Sequence, residues 1–223
     1  MENFTLVAHI PSQLLALIES KVAYEKSSGL RVADGVREFL LAASPDFLSA
    51  LQDTTAPDPW RFGFAIVHRI GNVVIGLCGF AGPQDSDGLV EIAYSISPDY
   101  QGRGFATEAA TALVDFASSS GRVRTVCAYT LPEMTASTRV LEKCGFRKTG
   151  EIFDSENHLV WRWEKNPAKI GTKQMTEPLL VMSSGVETSL NICERSEIRR
   201  QNSKGFLHFG RNDKSYILKR SPR

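Results

Sequence analysis

The chain has 223 residues, 42% of them hydrophobic, and a formal net charge of +1. That is enough apolar material for one buried core with an extension, and no overall charge that would draw in nucleic acid. No apolar run reaches the roughly 18 residues of a membrane span, and the opening MENFTLVAHIPSQ carries no apolar stretch of signal length.

Phe4–His9 reads as a first strand, and Pro11–Ser12 opens a helix that carries Leu14, Leu15, Ile18 and Val22 toward a core. Ser27-Ser28-Gly29 is a loop. Val36, Phe39, Leu40 and Leu41 mark a second helix that ends before Pro45, with a short helix from Pro45 to Leu51. Pro57-Asp58-Pro59-Trp60 is a rigid connector. Phe62–Arg69 and Val73–Phe80 are apolar runs joined by Ile70-Gly71-Asn72, the pattern of a β-hairpin. After the polar loop Ala81–Gly88, Val90, Ile92, Tyr94 and Ile96 alternate with Glu91, Ala93 and Ser95, as in a sheet strand. Pro98 ends that strand, since it has no N–H and turns Ser97 away from the helical region. Ala106, Ala109, Ala110, Leu113, Val114 and Ala117 then form one apolar helix face. Ser118–Gly121 stops the helix and Val123–Tyr129 is the next strand, parallel to the preceding one by the crossover rule. Thr135–Cys144 is a helix closed by Gly145. Phe146–Phe153 and His158–Glu164 make a closing hairpin.

Charge is unevenly spread. Residues 1–165 hold 15 Lys+Arg against 20 Asp+Glu, and residues 166–223 hold 11 against 5. The expected organisation is a catalytic domain over 1–165 and a basic C-terminal extension over 166–223, largely disordered because its hydrophobic periods are short. Leu179–Met182 and Phe206–Phe209 are its candidate docking segments, and Glu194–Arg200 its candidate helix. A basic arm that holds an acidic partner is the functional alternative to a solvated surface. Cys78, Cys127, Cys144 and Cys193 form no C-x-x-C pair, which argues against a zinc site or disulfide framework and suits a reducing cytoplasm. His9, His68, His158 and His208 lie far apart, so no metal is expected.

The chemistry concentrates between the central strand and the long helix. The first turn of a helix leaves N–H groups unpaired, and the macrodipole adds positive potential there. Gly102 and Gly104 let the backbone approach a bulky oxyanion such as a diphosphate. The stretch is neither G-x-G-x-x-G nor G-x-x-x-x-G-K-[ST]. What remains is Gln101-x-x-Gly104-x-Ala106, which reads either as an anion loop or as a tight strand-to-helix turn.

Gln101-Gly102-Arg103-Gly104-Phe105-Ala106 resembles the Q/R-x-x-G-x-G/A pyrophosphate loop of the GNAT superfamily of N-acetyltransferases. The longer run Tyr100–Ala109 resembles the branch that includes the ribosomal-protein N-terminal acetyltransferases. Ala136–Phe146, ASTRVLEKCGF, resembles that branch's following helix and strand. The resemblance covers Phe4–Lys165. It implies an α/β fold of the α+β kind: a mostly antiparallel central sheet with a splayed parallel strand pair, flanked by helices. It also implies acetyl transfer from acetyl-CoA, as co-substrate, to a primary amine of a small molecule or a peptide or protein N-terminus, in a cytoplasmic monomer or homodimer. A non-catalytic acyl-CoA-binding or degenerate regulatory module is the alternative.

By the same resemblance, Gln101, Gly102, Arg103, Gly104, Phe105, Ala106 and Thr107 hold the diphosphate, and Tyr94, Ser95 and Ile96 line the pantetheine arm and the oxyanion. The stretch Lys21–Trp60 shapes acceptor choice. A general base is useful because a free amine has a pKa of about 10.4. Glu91 is the candidate, against the reading of a strand-end carboxylate facing solvent or pairing with an arginine. Glu151, Asp154 and Glu156 are second choices. Leu141 stands where many GNAT enzymes carry a tyrosine that protonates the leaving thiolate. Ser137 is the substitute, or else a helix-stabilising hydroxyl. Met134 stands where the branch has a cofactor-contacting asparagine, and methionine cannot make that hydrogen bond. Cys144 reads as packing rather than as an acyl carrier.

Overall fold

The structure is a computed structural model that describes residues 4–41, 43–154, 157–167 and 180–182. Its sheet strands are β1 (Phe4–Ala8), β2 (Arg31–Val32), β3 (Phe64–His68), β4 (Val73–Phe80), β5 (Leu89–Ile96), β6 (Thr125–Thr130), β7 (Arg147–Phe153), β8 (Leu159–Lys165) and β9 (Leu180–Met182). The helices are α1 (Pro11–Glu19), α2 (Lys21–Ser28), α3 (Val36–Leu41), α4 (Pro45–Gln52), α5 (Pro59–Phe62), α6 (Phe105–Ser119) and α7 (Ala136–Lys143), with a 3-10 turn at Pro98–Tyr100.

The strand order is β7-β8-β6-β5-β4-β3-β1-β9, with β2 also paired to β4. Most pairs are antiparallel. The β5–β6 pair is parallel, as the crossover through α6 requires. The short β2 and β9 also run parallel to β4 and β1.

Each face of the sheet carries its own core. The even-numbered residues Val90, Ile92, Tyr94 and Ile96 of β5 turn toward α6 and α7 and join Ala109, Ala110, Leu113, Val114, Ala117 and Leu141. The small alanines let α6 lie close against the strand. On the opposite face, Ala65, Val67, Val74, Leu77 and Ala93 pack under Leu14, Leu17, Tyr24, Leu40 and Phe47 of the N-terminal helices.

Several local expectations change. The first helix is two helices, because Ser20 adopts an extended backbone (φ −166, ψ 160) and caps α2 by accepting the Ala23 N–H. Val22, expected to point to the core, is consequently 72% exposed. The connector at Pro57–Trp60 contains the one-turn α5, started by Asp58 accepting the Trp60 N–H. Two-residue β2 has no visible sequence period and was not expected. Of the expected C-terminal features, backbone pairing is described for Leu180–Met182 against Leu6–Ala8. Phe206–Phe209 and Glu194–Arg200 lie outside the described residues.

Candidate functional site

The site is built around the start of α6. Gly102 (φ +72) and Gly104 (φ +92) both sit in the left-handed region that favours glycine, and Gly104 is the N-cap with no side-chain cap. Phe105 anchors the turn from beneath, buried against the rings of Phe4, His68 and Tyr100. Gln101 Nε2 donates to the Ile96 carbonyl at 2.9 Å and ties the loop to the end of β5. Among the described residues, the N–H groups of Gly102 through Thr107 have no hydrogen-bond partner; Glu108 is the first to bond, to the Gly104 carbonyl. Nothing lies within 4 Å of where a Gly102 side chain would begin. This helix start is open, and its dipole favours an anion. Arg103 is exposed, with its guanidinium 5.4 Å from the Tyr100 ring centroid.

The second feature is the opening beside β5. The parallel ladder joins Leu89–Glu91 to Thr125–Cys127 and stops there. Beyond it, Ile92–Ile96 pair only with β4, and Ala128–Thr130 pair only with β8. The Glu91 carbonyl and the Ser97 N–H bond toward the β4 side. The last parallel rung uses the Ile92 N–H, and alternation along the strand turns the peptide groups of Tyr94 and Ile96 into the opening. Ser95, expected beside them, points its peptide groups at β4 instead. Its carbonyl lies so close to Gly76 that a side chain there would collide with it.

Glu91 sits at the last rung before the strands part, opposite Cys127. Its side chain is half-buried and has no hydrogen-bond or ion-pair partner among the described residues. Burial pushes its carboxyl from an ordinary 4.5 up to about 7. That places its proton change in the range useful to a general base. On the same sheet face follow Cys127, Tyr129, Arg162 and Glu164. Arg162 Nη2 is 2.7 Å from Glu164 Oε1. Burial and the nearby Glu91 charge push the Cys127 thiol up to about 12, so it is an unreactive neighbour. Tyr129, Arg162 and Glu164 were not singled out in the sequence. Each occupies an alternate strand position, but only the β6–β8 register, Cys127 to Glu164 and Tyr129 to Arg162, puts them beside Glu91.

Ser137 lies in the first turn of α7, 5% exposed. Its Oγ is 3.3 Å from the Tyr94 hydroxyl, which reaches it from β5. Leu141 is in the core, so that position offers packing alone. Met134 is 57% exposed on the loop before α7. Thr107 contributes its carbonyl to the Thr111 hydroxyl and the Cys144 thiol, which locks α6 to the end of α7. The second-choice carboxylates lie elsewhere. Glu151 accepts from Lys148 and from the Trp161 ring N–H, which hold its carboxyl below the ordinary range. Asp154 accepts the His158 N–H in the β7–β8 turn, and Glu156 lies outside the described residues. No group of three or more potential metal ligands occurs among the described residues, and no helix among them is long and apolar enough to cross a membrane.

Known proteins share this architecture. The chain is 34% identical over 93 residues to an uncharacterised N-acetyltransferase, p20, of Bacillus licheniformis, covering 42% of this chain and 52% of that protein. The chain thus spans about half the length of this relative. A spermidine N-acetyltransferase SpeG variant from Vibrio cholerae superposes with a TM-score of 0.54 at 17% identity, over 75% of this chain and 95% of that one. The ribosomal-protein-S5-alanine acetyltransferase of Vibrio fischeri does so with a TM-score of 0.52 at 16% identity, over 75% and 95%. At such identities these two likenesses speak for the fold. Residues 31–147, just over half of the sequence, match the acetyltransferase (GNAT) domain, and the chain belongs to the GNAT acetyltransferase family, whose members transfer an acyl group from acetyl-CoA.

Proposed function

We propose that this protein is an N-acetyltransferase that moves an acetyl group from acetyl-CoA to the primary amine of a small molecule or of a peptide or protein N-terminus. The observation that carries the reading is a juxtaposition. The Glu91 carboxyl at the last parallel rung, the β5 edge beyond that rung and the open amides of Gly102–Thr107 follow one another along the chain where β5 and β6 part.

The residues divide the work by their chemistry. The amides of Gly102, Arg103, Gly104, Phe105, Ala106 and Thr107 hold the diphosphate, and Arg103 adds a positive charge. Along β5 the peptide groups of Tyr94 and Ile96 bond an extended pantetheine arm as an added strand. Acetyl-CoA supplies the acyl group as a thioester. Glu91 takes a proton from the incoming ammonium, directly or through a water, so that the amine attacks in its neutral form. A gap-facing N–H at Tyr94 stabilises the charge that develops on the thioester oxygen. Ser137 stands where the departing sulfur needs a hydrogen-bond donor.

The test follows the free thiol released from acetyl-CoA across a panel of amines, spermidine and an alanine-initiated peptide among them. The reading expects amine-dependent release and a product heavier by one acetyl group. A folded protein that releases no thiol with any amine would overturn it. CoA binding without release would mark an acyl-CoA-binding module instead.

A further inference from the structure

A pair of hydroxyl side chains links β5 to the helix after β6. Tyr94 comes from the β5 arm, and Ser137 from the helix that follows the β6 arm. Their hydroxyl oxygens are 3.3 Å apart, and the Tyr94 oxygen is also 3.5 Å from the Ser137 carbonyl. Both residues are nearly enclosed, at 5% exposure. The peptide groups of Tyr94 face the opening, so a thioester bonded along that edge in the proposed manner would bring its sulfur beside this pair. Resting on the proposed acetyl transfer, we infer that Tyr94 and Ser137 form a two-hydroxyl relay that protonates the departing thiolate, with Ser137 as the donor to sulfur and Tyr94 as the positioning residue behind it.

The chemistry needs both members. A serine hydroxyl alone is too weak an acid to release its proton to a thiolate, whose conjugate thiol titrates at about 8.5. A phenol is a far stronger acid than an aliphatic alcohol, so a proton passed through Ser137 has a source that can release it. The step balances. A bond forms between the amine nitrogen and the acyl carbon, and the carbon–sulfur bond breaks with its electron pair going to sulfur. Sulfur takes the Ser137 proton, and Ser137 takes the Tyr94 proton. The first proton of the ammonium passes through Glu91 to solvent before attack. The proton that nitrogen loses on forming the amide goes to the freed Glu91 carboxylate, which is half-buried, and returns to Tyr94 through solvent once the products have left. Counted from the ammonium, one proton ends on the thiol and one in solvent. The arrangement also accounts for Leu141. With a phenol supplied from β5, the α7 position is free to be a core leucine.

The test uses the full chain with Tyr94→Phe, Ser137→Ala and the double variant. The first readout is binding at pH 9 of CoA and of desulfo-CoA, which lacks the sulfur. Wild type should bind CoA about tenfold tighter than desulfo-CoA, the scale of one charge-assisted hydrogen bond, and both single variants should lose that preference while binding desulfo-CoA like wild type. The second is acetyl transfer to an alanine-initiated peptide. Each single variant should lower kcat by about 100-fold with the acetyl-CoA KM within about twofold, and the double variant should be no slower than Ser137→Ala, because the two act as one unit. A preference for CoA that survives in Tyr94→Phe, additive losses in the double variant, or full kcat in Tyr94→Phe would each overturn the relay and leave the transferase reading intact. Wild type that binds neither CoA nor desulfo-CoA would remove the transferase reading and the relay with it.

Discussion

The two helices that follow the strands of the parallel pair, α6 after β5 and α7 after β6, have opposite beginnings. The start of α7 is closed by its own side chains: Thr135 Oγ1 accepts the Thr138 N–H, and Thr138 Oγ1 accepts the Thr135 N–H. The start of α6 has a glycine cap, no side-chain acceptor and six amides without a partner among the described residues. Both face the same electrostatic problem, unpaired donors at the positive end of a dipole. One solves it internally and is structure. The other leaves it for something outside the chain. The carboxylates repeat the contrast. Glu151 is satisfied by Lys148 and Trp161 and held below the ordinary range, whereas Glu91 has no such partner and is pushed up to about 7. The transferable lesson is that a site can be found by asking which ordinary polar groups the fold has left unsatisfied.

The largest effect is expected at Glu91. Glu91→Gln should lower kcat by about 100-fold or more with little change in CoA affinity. In the parent protein the rate should rise with pH through about 7 as the carboxyl ionises, and steady-state rates should show the variant flat there. Stability moves the other way. A carboxyl whose pKa rises from 4.5 to about 7 on folding leaves stability fully present below pH 4.5 and diminished as pH rises through 7. Glu91→Gln should therefore raise the melting temperature more at pH 8 than at pH 4.

Giving α6 the anion it lacks should come next in size. Gly102→Asp places a carboxylate at the open helix start. Calorimetry should find CoA affinity about 100-fold lower, since the diphosphate meets a like charge on its own amides. Thermal stability should barely move, because left-handed strain of about 1 kcal/mol is offset by dipole stabilisation of about 0.3–1 kcal/mol.

The satisfied side of β5 should respond in stability. Gly76→Ala drives a methyl into the Ser95 carbonyl and should lower stability in denaturant titration by about 1–3 kcal/mol. The smallest effect belongs to the closed helix. Thr135→Ala removes a cap and should lower stability by about 1 kcal/mol, with CoA affinity unchanged within about twofold.

Local physics made α6, its glycine turn and the β5 alternation readable from the sequence. Their periods are long, and Pro98, Gly102 and Gly104 punctuate them unambiguously. The division at Ser20 was hidden because one serine both ends α1 and caps α2, so an apolar period ran on to Val22 across a break. The two residues of β2 carry no period at all. The cluster around Glu91 and the Tyr94–Ser137 contact depend on strand register and on residues 43 positions apart, which no local pattern encodes. Ser95 failed as a gap-facing residue for a related reason. Which edge a peptide group faces is set by the partner strand, and the side-chain alternation does not reveal it.

In the proposed transfer, the open start of α6 is what grips a phosphorylated carrier. The direct measurement is calorimetric titration of the full chain with CoA and, separately, with pantetheine, which keeps the thiol arm and lacks the diphosphate. CoA should bind at least about 100-fold more tightly, two decades being about 2.7 kcal/mol. Equal affinity for the two, or no binding of CoA by the folded protein, would contradict it.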